Sequence, residues 1–437
     1  MSELRFARYR NDVRLTHYLF RFPAKFHSPA LRCLIDKYSD TGQLILDPFC
    51  GSGSLLIEAL VMGRRAVGID FDPVAAFISR AKSRPVSPKR LEAAFLKLQA
   101  KIALVRRSSK EYDRLMKSDL SMSAVARFRK AYAIPNIPNI EHWFRAYVAI
   151  DLGRMRLTIT RSRLASDLKR FFLACFGSII RNASNADPVP VSGLEVTSHM
   201  KKLDKLGRRI DPFQLFEQKV EREIKGMKEF WDKVKHAKKS SKPGMKVKIR
   251  RADATALSQI VRSGSADVVI TSPPYNTAVD YYRRHMLEMY WLGLVKSHDD
   301  RLELAPRYLG REGIRETNRR LRWKTGSKYI QRLLKHAEKV STKRARALKH
   351  YSASMDRVLD EMAKALKSKG KAVVVVGNSK WNGRRVRPTR LLEELAGERF
   401  NFVERLSYAT QNRYMSFSRH NGANVNREHV LVLEKKN

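Results

Sequence analysis

The stretch Leu44-Ile45-Leu46-Asp47-Pro48-Phe49-Cys50-Gly51-Ser52-Gly53-Ser54-Leu55-Leu56-Ile57-Glu58-Ala59 decides the fold. Its apolar opening has the length of a short buried strand, Gly51 and Gly53 mark a tight turn, and the apolar residues after Ser54 begin a helix. Strand, glycine turn and helix in this order make the first βα unit of a doubly wound α/β sheet. Downstream, Ala66-Val67-Gly68-Ile69-Asp70 reads as a second strand that ends in an acid. A carboxylate at that place is suited to both hydroxyls of a ribose, so a nucleoside-containing cofactor is expected.

The departures from a dinucleotide fingerprint narrow the choice. The glycines stop at Gly51-Ser52-Gly53 and Leu56 stands where a third would allow close packing of a pyrophosphate-binding helix. Asp47 precedes the turn, and a carboxylate there suits a cationic amine better than a phosphate. These features point to S-adenosyl-L-methionine over NAD or ATP.

A second motif lies far along the chain. The apolar run Asp267-Val268-Val269-Ile270-Thr271 leads into Ser272-Pro273-Pro274-Tyr275. Two consecutive prolines fix two φ angles and remove two backbone donors, leaving nearby carbonyls as directed acceptors. Ser272 adds a hydroxyl, and Tyr275 adds an aromatic face on which a base can stack for roughly 1–3 kcal/mol. The motif can hold a flat ring by its exocyclic amine.

The chain of 437 residues carries a formal charge of +45 and 43% apolar residues. It is long enough for two or three domains or one large domain with insertions. The positive field makes nucleic acid the first candidate partner and an acidic membrane surface the second. No apolar run approaches the ~18 residues of a membrane span, and residues 1–11 lack the apolar centre of a signal peptide, so no membrane association and a cytoplasmic location are expected. Cys33, Cys50 and Cys175 are widely spaced, without a disulfide framework or metal-ligand pattern. None of the eleven histidines has a context that argues for chemistry.

Asp47-Pro48-Phe49-Cys50-Gly51-Ser52-Gly53 together with Thr271-Ser272-Pro273-Pro274-Tyr275 resembles the amino-methyltransferase branch of the S-adenosylmethionine-dependent DNA methyltransferases, most closely its cytosine-N4 members. The resemblance covers residues 16–80 and 245–435. It implies a Rossmann-like class I sheet with a C-terminal antiparallel hairpin. Between the two parts, the spacing of Leu91, Phe95, Leu98, Ile102 and Leu104 from Ser87 to about Ser118 is helical, and the middle of the chain reads as a large helical insertion. Phe22 to Pro29, which includes Lys25, resembles the segment that helps to hold the methionine part. Asp253-Ala254 resembles the third-strand acid that faces the adenine. Asn276 to Gly293 resembles the helix after the catalytic loop, and Asn412 to Leu433 the last hairpin. The implied catalytic residues are Ser272, Pro273, Pro274 and Tyr275. The implied cofactor-binding residues are Lys25, Asp47, Phe49, Gly51, Gly53, Asp70, Phe71, Asp253 and Ala254, with no metal.

The chain then divides into a cofactor-binding half (1–80), a helical insertion as candidate DNA-recognition region (81–244) and a catalytic half (245–437). The last is interrupted by a basic stretch at about 297–349, where Arg319-Arg320-Leu321-Arg322-Trp323-Lys324 and Lys343-Arg344-Ala345-Arg346 fit phosphate contact with stacking. Asn378 sits where an open sheet places ligand-facing residues, and His420-Asn421-Gly422 reads as a hairpin turn. The expected activity is site-specific methylation of cytosine N4 in double-stranded DNA, in restriction-modification or DNA modification, with a cognate restriction endonuclease as a candidate companion. The alternatives are adenine-N6 methylation, guanine-N2 methylation of RNA, or a noncatalytic DNA-binding protein on a decayed core. Cytosine-C5 chemistry is disfavoured because no cysteine follows a proline, which leaves Cys50 as loop packing.

Overall fold

The structure is a computed structural model that describes residues 2–9, 14–22, 25–188, 193–240, 246–275, 281–311, 314–377, 379–381, 384–409 and 427–437. The strands β1 (Ser2–Glu3), β2 (Leu44–Asp47), β3 (Arg65–Asp70), β4 (Val247–Arg251), β5 (Ala266–Thr271), β6 (Leu366–Gly377), β7 (Phe400–Ala409) and β8 (Arg427–Lys435) form one sheet in the order β1-β7-β8-β6-β5-β2-β3-β4. β2 to β6 run parallel. β8 is antiparallel to both β6 and β7, so the expected terminal hairpin is inserted beside β6.

Parallel strands covered on both faces read as nearly continuous apolar runs, and the central strands do so here. Leu46, Ile69, Val269 and Val374 face one layer with Leu348, Met355 and Leu392. Ile45, Val268, Ile270, Val373 and Val375 face the other, with Leu31, Leu34, Leu55 and Leu56. The covering helices on the second face are α1 (Ser28–Tyr38) and α2 (Ser54–Val61), and α3 (Pro73–Lys82) follows β3.

Residues 88–240 are helical wherever they form long elements: α4 (Pro88–Ala103), α5 (Ala146–Arg161), α6 (Ser166–Ala183) and α7 (Pro212–Ser240). The helical pattern read across 87–118 is two helices, because Leu104 to Ser108 break it before Ser108 caps Ser109–Lys117. The inserted helices share a core with the sheet's own helices: Ile57, Leu60, Val74 and Ile78 pack in one cluster with Leu91, Phe95, Phe172, Phe213 and Phe216. After β5 come α8 (Met286–Trp291), the basic stretch, α9 (Thr342–Ala365), which covers the first face, and α10 (Pro388–Ala396). Pro23, Ala24, 276–280, Asn378 and 410–426, including Asn412 to Ser416 and His420-Asn421-Gly422, lie outside the described residues.

Candidate active site

The chain runs outward from β2 to β3 and β4, then returns to β5 and β6 on the other side of β2. Such a reversal opens a crevice beyond the carboxyl ends of the two strands, where open α/β sheets bind ligands. A cavity of about 1300 Å³, counted out to its open mouth, lies there. Lys25, Asp47, Phe49, Gly51, Asp70, Phe71, Asp253, Ala254, Ser272, Pro273, Pro274 and Tyr275 all line it. Two motifs more than two hundred residues apart in sequence thus face one space.

Gly53 does not line the cavity. It caps α2 with a φ of +79°, and a Cβ there would stand 3.0 Å from the Cβ of Ser79 on α3. Its place is behind the turn, where only the absence of a side chain allows the left-handed backbone and the close approach. Cys50 is buried with its thiol pushed well up by burial, and a Cβ at Gly68 would meet it at 3.0 Å. It packs the loop.

The turn spends its amides internally. Phe49 N donates to Asp47 Oδ1 at 3.1 Å, Cys50 N to the Ile69 carbonyl at 2.9 Å, Gly51 N to Asp70 Oδ2 at 2.8 Å, and Gly53 N to the Cys50 carbonyl at 2.8 Å. A phosphate cradle needs such donors free. Instead the loop presents carboxylates. Asp47 is also bound by Thr271 Oγ1 at 2.6 Å, which ties the glycine turn to the strand that carries Ser272. Burial pushes Asp47 up to about 7. Burial, with the charge of Asp72 added, does the same to Asp70. Each Asp70 oxygen takes one backbone N–H, the second from Asp72 N at 2.9 Å, and keeps a lone pair for a further donor.

Asp72 is the cap of α3, bound by Val74 N at 2.7 Å and Ala75 N at 3.0 Å. Its other oxygen faces His285 Nδ1 at 3.1 Å and accepts from the Tyr308 hydroxyl at 3.0 Å. Burial opposes its charge, but His285 and the hydrogen bonds hold it below the usual carboxylate range. At the opposite wall Lys25 lies 4.5 Å over the Tyr18 ring and donates to the His17 carbonyl at 3.4 Å, with burial pulling its amine down to about 8. Phe22 stacks on Tyr281 at 5.6 Å between centroids, and both line the cavity. Beneath the turn, buried Lys82 donates to Ser52 Oγ at 3.1 Å.

Several lining residues escaped the sequence reading. The Tyr275 hydroxyl donates to Glu428 Oε1 at 3.1 Å, and the Tyr408 hydroxyl donates to Glu428 Oε2. Glu428 stands opposite Tyr408 in the β7–β8 ladder, and burial raises its carboxyl above the usual range. Arg307, Tyr308 and Leu309 reach the cavity from the basic stretch. No local signal marks these positions; a strand-end acid and an arginine in a basic run gain meaning only when the chain is folded.

Parts of the basic stretch face inward. Trp323 donates its indole N–H to Asp356 at 2.9 Å and packs on the α9 layer, so its ring serves the core and not a base. Arg320 donates to Ser354 Oγ at 3.0 Å and Thr255 Oγ1 at 3.1 Å. Their sequence neighbours Arg319, Arg322 and Lys324 are exposed. No helix among the described residues is long and apolar enough to cross a membrane.

Comparison with known proteins agrees with this geometry. Residues 4–79 and 266–437, more than half of the chain, match the model of a DNA methylase family of the N6/N4 type. The Type II methyltransferase M.MvaI of Kocuria varians is 24% identical over 382 residues, covering 84% of this chain and 78% of that protein. Two similarities are local. The Type II methyltransferase M.MjaII of Methanocaldococcus jannaschii is 28% identical over 80 residues, 18% of this chain and 15% of its own. A tRNA (guanine(10)-N2)-dimethyltransferase of Methanothermobacter thermautotrophicus is 44% identical over 54 residues, 12% of this chain and 16% of its own.

Proposed function

Because the chain belongs to the N6/N4 DNA methylase family, we propose that it transfers a methyl group from S-adenosyl-L-methionine to the exocyclic N4 amine of a cytosine in double-stranded DNA, as a site-specific enzyme of restriction-modification. The observation that carries this reading is the shared cavity: the acid-bearing glycine turn and Ser272–Tyr275 line one space. In a protein of net charge +45 that space is walled by Asp47, Asp70, Asp72, Asp253 and Glu428 against Lys25 and Arg307. An acidic, aromatic-lined pocket fits a cationic nucleoside and disfavours a polyphosphate.

In this reading Asp70 accepts hydrogen bonds from the ribose hydroxyls, and Phe71, Asp253 and Ala254 border the adenine. Asp47, Phe49, Gly51 and Lys25 surround the methionine part, and Gly53 keeps the turn in shape. When bound, the cofactor supplies an electrophilic methyl on a positively charged sulfur. The target base leaves the duplex at a cost of a few kcal/mol and stacks on Tyr275, whose ring Glu428 fixes through the hydroxyl. Ser272 Oγ and a carbonyl beside Pro273 accept the two amine hydrogens and aim the nitrogen lone pair at the methyl. Alignment of this kind is the main contribution required, since no covalent enzyme intermediate is needed. As the methyl's bond to sulfur gives way to the new bond to nitrogen, a neutral thioether would be left, and the cationic nitrogen would then pass its surplus proton to water at the cavity mouth. Ser272, standing where the adenine enzymes more often have Asp or Asn, favours cytosine. All three cysteines are buried, which suits a mechanism without a thiolate nucleophile.

A second reading, methylation of guanine N2 in RNA, draws on the local similarity to the tRNA enzyme. Incubation with methyl-labelled cofactor and either duplex DNA or tRNA separates the two. Label is expected in the DNA alone, and label confined to tRNA would overturn the DNA assignment.

A further inference from the structure

Residues 301–349 look from sequence like a surface for DNA phosphates, yet one turn of this stretch lies in the cofactor half of the cavity. Leu304 ends a short helix, Pro306 stops it, and the chain passes through Arg307, Tyr308 and Leu309 directly over the end of β3. The Arg307 guanidinium sits 4.0 Å over the Phe71 ring, and its Nε is 3.9 Å from Asp253 Oδ2. Tyr308 is buried, meets Phe71 edge-on at 5.7 Å and donates to Asp72 at 3.0 Å. A second arm of the same stretch arrives from behind: Arg320 Nη2 donates to Thr255 Oγ1 at 3.1 Å, and Thr255 Oγ1 donates to Asp253 Oδ1 at 2.8 Å.

Phe71 and Asp253 follow strands β3 and β4, whose ladder ends with Asp70 opposite Arg251 and Ala252 N donating to the Asp70 carbonyl at 3.1 Å, so their backbones are paired but their side chains are not. Arg307 touches both. Its planar, delocalised cation can stack on an aromatic face and pair with a carboxylate at once, which an ammonium does poorly. Arg307, Tyr308 and Leu309 also border open cavity space, so a bound nucleoside would meet them.

We infer that Arg307 and Tyr308 are cofactor-site residues, which hold Phe71, Asp253 and Asp72 in register at the adenosine end, so that the basic stretch builds part of the cofactor pocket. This rests on the reading of the cavity as a site for S-adenosyl-L-methionine. The exposed Arg319 and Arg322 and the inward Arg320 then lie on one short turn, with DNA on one side and the adenine-facing acid on the other.

The test is calorimetric titration of the full chain with S-adenosylhomocysteine, and with adenosine alone, in the absence of DNA. Arg307→Ala is expected to weaken both ligands by the same factor of about 5–10. Arg307→Lys should recover only part of that loss. Tyr308→Phe should cost about 3–10-fold through the lost hydroxyl. Arg315→Ala, exposed on the same stretch, should bind as the parent does. Full affinity in folded Arg307→Ala and Tyr308→Phe overturns the inference while leaving the methyltransferase reading intact. An equally folded Arg307→Ala that loses S-adenosylhomocysteine but not adenosine also overturns it. A parent protein that binds neither ligand overturns both.

Discussion

Replacing Asp70 with Asn should strengthen the fold and weaken the cofactor site together. Asp70 is buried at the end of β3 beside Asp72, and its carboxyl is pushed up to about 7 from 3.8. The folded protein therefore holds the Asp70 proton more tightly than the unfolded chain. Stability from this group is complete below pH ~4 and is lost as pH rises to about 7, where the buried charge finally forms. A shift of this size corresponds to at most ~4 kcal/mol, of which structural relaxation leaves about 1–3 kcal/mol. The Asn variant carries no such charge, but only its carbonyl can accept: with that oxygen on Gly51 N, its NH2 faces Asp72 N, and losing that hydrogen bond takes back about 1 kcal/mol. At ~2.1 cal/mol/K per residue, unfolding of 437 residues has an entropy near 0.9 kcal/mol/K, so the net gain should raise the melting point by up to about 2 °C at pH 8. The gap should be smaller at pH 5 and should not widen further above pH 8. In the proposed cofactor site the same variant would lose two charge-assisted hydrogen bonds to the ribose and should bind S-adenosylhomocysteine about 10–100-fold more weakly. Scanning calorimetry at both pH values and isothermal titration give the two numbers. A variant that is destabilised at pH 8 and binds the ligand normally would mean that Asp70 neither carries a costly buried charge nor faces the ribose.

Other perturbations probe the remaining walls. Gly53→Ala forces a side chain into a left-handed backbone against Ser79, and denaturant unfolding should show a loss of about 2–4 kcal/mol from conformational strain and overpacking combined. Tyr275→Phe and Glu428→Gln should each slow single-turnover methyl transfer several-fold at saturating cofactor while leaving S-adenosylhomocysteine affinity unchanged, because the bonded pair belongs to the proposed acceptor half. Ser272→Ala combined with Tyr275→Ala should abolish transfer and keep most cofactor affinity, whereas loss of the fold would return the motif to a structural turn. Removing Arg319 and Arg322 together should weaken duplex binding equally across sequences and lower the salt slope by about 2, measured by fluorescence anisotropy between 50 and 200 mM salt.

The sheet and the position of the cavity could be read from residues 44–70 and 266–275 because local chemistry specifies them: short apolar strands, a turn that needs glycine, and acids at strand ends. Asp47, Asp70 and Ser272–Tyr275 are of this kind. Glu428 and Tyr308 are not. Glu428 reaches Tyr275 only through the antiparallel placement of β8 beside β6, a pairing of residues far apart in sequence. Tyr308 meets Asp72 across more than two hundred residues. Charge runs mislead in the opposite direction, since Arg320 and Trp323 share a pattern with exposed Arg319 and Arg322 but turn inward to Ser354, Thr255 and Asp356. Helical periodicity showed that the insertion is helical without showing that its apolar faces would share a core with α2 and α3.

The proposed reaction joins a cofactor methyl to the exocyclic amine of a flipped cytosine in DNA. Duplex DNA treated with the full chain and methyl-labelled S-adenosyl-L-methionine, digested to nucleosides and separated by liquid chromatography with mass detection, tests it directly. Label is expected in N4-methylcytosine; label in N6-methyladenine or 5-methylcytosine, or none in DNA at all, would contradict the proposed reaction.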